Sequence, residues 1–141
     1  MPANTAPIFT LTPNSIPAHI AAANTASDGS GTLVSLLTGA TSGTRVDAVT
    51  FRNAQATAAA SSAMVGRVFL SNESGVNFRI VGEVAIATAT RSTTAIGATS
   101  SITFNPALML KSGQVLSVCQ SVYVGVADQN SAYTSAGDYW S

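Results

Sequence analysis

The sequence predicts an all-β fold: an antiparallel β-sandwich, jelly-roll-like, with an extended N-terminal arm. Three observations predict it. Apolar residues recur with period two in several short runs, most clearly in AMVGRVFLSNESGVNFRIVGEVAI from Ala63 to Ile86. Turn residues punctuate the chain at spacings of roughly 8–12 residues. No stretch shows the i, i+3, i+4 spacing of an amphipathic helix. Around eight short strands without intervening helices suit a two-sheet sandwich, and the jelly roll is its eight-stranded version. No internal repeat is present, which argues against a solenoid or propeller.

The elements follow in order. Residues 1–30 read as a Pro-rich N-terminal arm and residues 31–141 as the sandwich domain. Pro2, Pro7, Pro13 and Pro17 break regular structure, since proline is confined to the edges and turns of sheets. Between them, Ile8 to Thr12 can make one short strand, and the rest of the arm is an irregular, mostly extended connection. Ala18 to Ala23 allow a helical turn. The arm is either a flexible tail or a strand donor to a neighbouring subunit's sheet edge. Thr32 to Thr38 is the first strong strand, and residues 40–43 form a turn with Gly43 as its breaker. Arg45 to Asn53 alternates clearly. Residues 54–63 are a small-residue linker. The hairpin over Ala63 to Ile86 turns at Asn72-Glu73-Ser74-Gly75, with a further break expected at Gly82.

Residues 87–100 are a long Ala/Thr/Ser connection with room for a weak strand in its middle. Ser101 to Phe104 is a short strand, ended by a turn at Asn105-Pro106. Lys111-Ser112-Gly113-Gln114 is a tight turn. Val115 to Val126 supplies one or two further strands. The tail that follows carries Tyr133, Tyr139 and Trp140, an aromatic cluster that either packs back on the sandwich or docks on a partner.

Composition bounds the function. The chain has 141 residues, enough to bury a core without disulfide or metal. Only 9% of residues are charged, against about 25% in ordinary soluble proteins. Surface covered by copies of itself or by a partner needs less charge to stay soluble, and a small domain solvated through hydroxyls and amides fits equally well. The five arginines and Lys111 are scattered, which argues against a nucleic-acid surface. The opening residues lack a signal peptide's basic and apolar regions, and no run is long enough for a transmembrane helix. Synthesis in a cytoplasm is the expectation.

The search for chemistry finds little. Cys119 is the only cysteine and sits in the apolar run VLSVCQSV, as a buried thiol would. His19 is the only histidine, with no nucleophile motif around it. Glu83 is the best single carboxylate for glycoside chemistry, but a cross-strand pair with Arg67 or Arg79 is the stronger reading. Asn72-Glu73-Ser74 matches a glycosylation sequon, a match common by chance. The expectation is a protein that is not an enzyme, with no catalytic, cofactor-binding or metal-binding residues.

Several segments, taken together, resemble the head decoration, or cement, proteins of tailed bacteriophages, which are small β-sandwich virion proteins. They are RVDAVTFRN at 45–53, GRVFLSN at 66–72, FRIVGEVAI at 78–86, FNPALMLKSGQVLSV at 104–118 and AGDY at 136–139. Their order and spacing, over roughly residues 30–140, carry the resemblance. It implies a structural protein on the outer surface of the expanded capsid. Its partner would be the major capsid protein, and it would be a homo-oligomer, a dimer or trimer. Neither nucleic acid nor membrane is expected as a partner. In that role Ile8, Phe9 and Leu11 of the arm and Tyr133, Tyr139 and Trp140 of the tail are the expected intersubunit contacts. The competing readings are another virion component (tail, neck or fibre) and a carbohydrate- or receptor-binding module using Tyr123, Tyr133, Asp138 and Trp140.

Overall fold

Strand pairing in this protein is nested, as in one long hairpin that has been rolled up. The structure, a computed structural model, describes residue 10, residues 12–55 and residues 59–139. Within these the chain forms β1 (Thr12–Pro13), β2 (Ala18–Ile20), β3 (Val34–Thr38), β4 (Thr44–Asn53) and β5 (Met64–Leu70). It continues with β6 (Arg79–Ile86), β7 (Thr99–Leu110), β8 (Val115–Gln120), a single 3-10 turn (Val126–Asp128) and β9 (Asn130–Asp138). β2 pairs with β9, β3 with β8, β4 with β7 and β5 with β6, all antiparallel. The result is two sheets: a larger one of order β1-β9-β4-β7, with β2 also on β9, and a smaller one of order β3-β8-β5-β6. The sheets pack face to face as a β-sandwich.

The hairpin is closed by local chemistry. Asn72 Oδ1 accepts the backbone N–H groups of Ser74 (3.0 Å) and Val76 (3.1 Å), and Gly75 takes the left-handed φ of +74° that a side chain would resist. Alternation then decides the faces. Val46, Val49 and Phe51 of β4 meet Met64, Val68, Leu116 and Val118 of the smaller sheet in one core. Gly66 lets the sheets approach, because a Cβ there would stand 2.9 Å from the Phe51 ring. Burying each such aromatic or aliphatic side chain contributes about 1.5–3 kcal/mol.

Four expectations need correction. Ala18–Ile20 is a strand, not a helical turn, because its backbone completes the ladder on β9 and Ile20 enters the core. Asn105-Pro106 does not end a strand. β7 runs on to Leu110, and residues 104–107 bulge out opposite Asp47. Proline is tolerated there because β7 is a sheet edge. Gly82 does not divide β6; it lies beside a bulge at Val81. The tail, for which no strand was expected, forms β9. β9 lies between β4 and the N-terminal strands, with Ala132 and Thr134 buried. Val115–Gln120 is one strand, and the middle of residues 87–100 makes only an isolated bridge, Thr90 to Ala60.

The outer face of the smaller sheet is covered by the chain itself. Phe69 and Cys119 are buried yet lie outside the central cluster, on the face that register assigns outward. The connection from β2 to β3 passes over Cys119, whose Sγ lies 3.8 Å from the Asn24 carbonyl. Asn24 anchors it: its Nδ2 donates to the carbonyls of Ser30 (2.9 Å) and Thr32 (3.0 Å), and its Oδ1 accepts the Ala26 N–H (3.0 Å). Arg67 Nη1 donates to the carbonyls of Asn24 and Thr25.

Candidate functional site

The larger sheet turns a different outer face to solvent. Register lines its outward side chains into rows. One row is Ser101, Thr50 and Tyr133; the next is Thr103, Ala48 and Ser135. At one end stands the row Thr99, Arg52, Ser131 and His19, and at the other Met109 and Arg45. Thr50 and Ser101 share a hydroxyl hydrogen bond of 2.8 Å. Arg45 is neutralised by Asp47 at 2.8 Å. The two middle rows therefore carry hydroxyls, one alanine and one tyrosine, and no charge. Tyr133, at the β9 end of its row, is 37% exposed.

Tyr133 and Tyr139 do not form one aromatic cluster. Six residue-to-residue steps of extended chain separate them, about 20 Å. Tyr139 lies just past β9, where its N–H donates to Gly43 (3.0 Å) and its hydroxyl reaches Met109 Sδ (3.5 Å). Ile8, Phe9, Leu11 and Trp140 lie outside the described residues. Asp138 is also unavailable as part of a sugar site beside Tyr133. It is five positions further along β9, and its carboxylate accepts from Asn14 Nδ2 (3.1 Å) and Thr44 Oγ1 (2.6 Å).

The remaining singled-out residues take structural places. Glu83 faces Arg67 across β5 and β6 in an ion pair of 2.8 Å, Arg67 being one of the two partners the sequence left open. His19 is exposed on β2 opposite Ser131. Cys119 is buried; desolvation pushes its thiol pKa up, against the opposing pull of Arg67. Asn72 of the sequon spends its side-chain oxygen on the hairpin turn. Among the described residues no group of three His, Cys, Asp or Glu side chains could hold a metal ion.

Sequence reasoning missed a polar knot at the end of the sandwich that carries the Arg52 row. Asp128 is 2% exposed. Its carboxylate accepts the Ser62 N–H (2.6 Å), the Ser62 hydroxyl (3.2 Å) and the Val124 N–H (2.8 Å). Burial alone would raise its pKa; these bonds outweigh burial and hold the carboxyl below its usual range. Gln120 Nε2 donates to the carbonyls of Val122 (2.8 Å) and Asp128 (2.7 Å), and Asn130 Nδ2 donates to Gln120 Oε1 (2.8 Å). Asn53 Nδ2 donates to the carbonyls of Ala127 (3.0 Å) and Gln129 (3.2 Å). The residues meet only through tertiary contact, so the only sequence hint was polar residues at inward strand positions.

Beside this knot lies a cleft of 260 Å³, lined by Arg52, Arg91 and the loop 92–97. The loop is a tight turn: Ser92 Oγ accepts the N–H groups of Thr94 (3.2 Å) and Ala95 (3.0 Å). Gly97 rests on Asn53, where a Cβ would come within 2.9 Å of the Asn53 Cβ.

No protein-family model, curated protein or solved structure significantly matches this chain.

Proposed function

We propose that this protein is a virion structural protein without enzymatic activity, a decoration or cement protein that binds the outside of an expanded bacteriophage head and stabilises the shell. We read its nested strand pairing as a jelly roll. The observation that carries the proposal is the outer face of the larger sheet. Its middle rows are uncharged and include Tyr133, with Tyr139, Met109 and Arg52 towards the ends of the face. Protein interfaces are enriched in tyrosine, methionine and arginine and depleted of charge at their centres. The choice of a phage head as the partner comes from the order and spacing of the five segments between residues 45 and 139.

Such a role needs a rigid platform and many copies, not a reactive group. Each copy that binds only the expanded shell shifts the equilibrium towards it, and contacts with several subunits multiply the effect. The test is co-sedimentation of the purified protein with expanded heads that lack it, followed by a copy count. Saturable binding in high copy is expected. Replacing Tyr133 and its neighbour Thr50 by arginine should abolish it while the urea midpoint holds. Absence from heads, with low-copy recovery in the tail fraction, would reassign the protein to the tail or neck.

A further inference from the structure

We propose that the cleft between Arg52, Arg91 and the loop 92–97 is a carboxylate-binding site, which takes an acidic side chain of a protein partner docked on this end of the sandwich. The partner's identity rests on the function proposed above; the carboxylate chemistry does not.

Arg45, Arg67 and Lys111 each hold a carboxylate at 2.8–2.9 Å. Arg79 turns back to the Phe78 carbonyl at 2.9 Å. Among the described residues Arg52 and Arg91 make no ion pair, yet both line one cleft. Arg91 reaches the carbonyls of Asn53 and Gln55 only at 3.5 and 3.4 Å, which leaves most of its donor fork unused. Two guanidinium groups that line one cleft repel each other, and an anion in the cleft relieves that repulsion. Their planar forks match the two oxygens of a carboxylate.

The surroundings favour a protein partner over a free ion or a nucleic acid. Ile96, in the cleft wall, is 80% exposed, and Val124, on the loop before the 3-10 turn, is 83% exposed. These are the most exposed large apolar side chains among the described residues. The loop carrying Ile96 is braced from behind, where Gly97 lies against Asn53, and the Val124 N–H is held by the Asp128 carboxylate at 2.8 Å. An exposed apolar side chain in the wall of a charged pocket suits a protein surface, which buries Ile96 while its acid enters. A nucleic acid would require a longer array of cations. The cleft also continues the outer face of the larger sheet, since Arg52 stands in that face's end row.

The experiment uses the full chain in two arms. In the first, arginine side-chain and backbone amide resonances are followed while citrate, and separately inorganic phosphate, is added at low salt. Saturable shifts confined to Arg52, Arg91 and residues 92–97 are expected with citrate. The double variant Arg52→Gln, Arg91→Gln should bind citrate at least about tenfold more weakly, with an otherwise unchanged amide spectrum. Equal shifts at Arg45 and Arg79, unchanged binding by the double variant, or tighter binding of phosphate than of citrate would each overturn the carboxylate site. In the second arm, Arg52→Glu, Arg91→Glu and, separately, Ile96→Ser, Val124→Ser are co-sedimented with heads. Loss of binding by both supports the docking role, and wild-type retention by both overturns it. Heads that fail to bind even the wild-type protein, with the citrate site intact, remove the decoration reading and leave the carboxylate site standing.

Discussion

The outer face of β3-β8-β5-β6 holds Phe69 and Cys119 out of water, whereas the outer face of β9-β4-β7 leaves Tyr133 and the hydroxyls beside it in contact with solvent. Both faces belong to the same sandwich and are built from equally regular strands. The difference lies in what crosses them. The connection between β2 and β3 lies over the smaller sheet, pinned by Asn24 and Arg67. Over the two middle rows of the larger sheet no described segment does the same. An apolar outer face must be covered, and this chain covers its own. A hydroxyl-rich face can stay in water and is free to meet a partner. The comparison therefore separates side chains that act on stability from those that act on binding.

The largest effect should come from Phe69→Ala. It removes a fully buried ring behind the smaller sheet and should cost about 3–5 kcal/mol, read as a lower urea midpoint with unchanged slope. A cost near zero would show that the cover does not pack on that face.

Asp128→Ala comes next. It strands the N–H groups of Ser62 and Val124 in a buried place and should cost about 2–3 kcal/mol. Because the folded carboxyl titrates below its unfolded value, its contribution is complete above about pH 4 and is lost as pH falls through the lower folded value. The stability gap between the wild-type protein and Asp128→Asn should accordingly narrow under acid unfolding. A gap that stays constant to low pH would remove the carboxylate from the account.

Asn24→Ala should loosen the cover rather than the sandwich. It deletes two donors and one acceptor and should cost about 1–2 kcal/mol. Cys119 supplies the readout, since its Sγ lies 3.8 Å from the Asn24 carbonyl. Its reaction with a thiol reagent should be slow in the wild-type protein and roughly tenfold faster in the variant, as local opening becomes easier. Equal rates would mean that the cover opens only when the whole domain unfolds.

Tyr133→Ser should have the smallest effect on stability. The ring is partly exposed on an uncovered face, so a change within about 0.5–1 kcal/mol is expected by the same denaturation measurement. A loss comparable to that of Phe69→Ala would show that the two faces do not differ in the way their exposure indicates.

Much of this arrangement was legible in the chain. The hairpin Met64–Ile86, its turn at Asn72–Gly75, the Arg67–Glu83 pair and the burial of Cys119 all follow from period-two alternation and turn chemistry, which are local. The element that escaped was β9. NSAYTSAGD has few large apolar residues, because its inward positions are filled by Asn130, Ala132 and Thr134 packed under long neighbours. Small and polar side chains give no periodic signal, and only pairing with β4 reveals the strand. Asn105-Pro106 misled for a related reason: proline stops a central strand but not a bulged edge, and edge status is a property of the whole sheet.

The sequence by itself determined the class of fold and the scarcity of charge, because alternation and composition act residue by residue. Tertiary structure alone decided which outer face is covered, where Asp128 finds its donors, and that Arg52 and Arg91 share a cleft. Those outcomes depend on segments distant in the chain meeting after the sheets have formed, and no local pattern encodes that meeting.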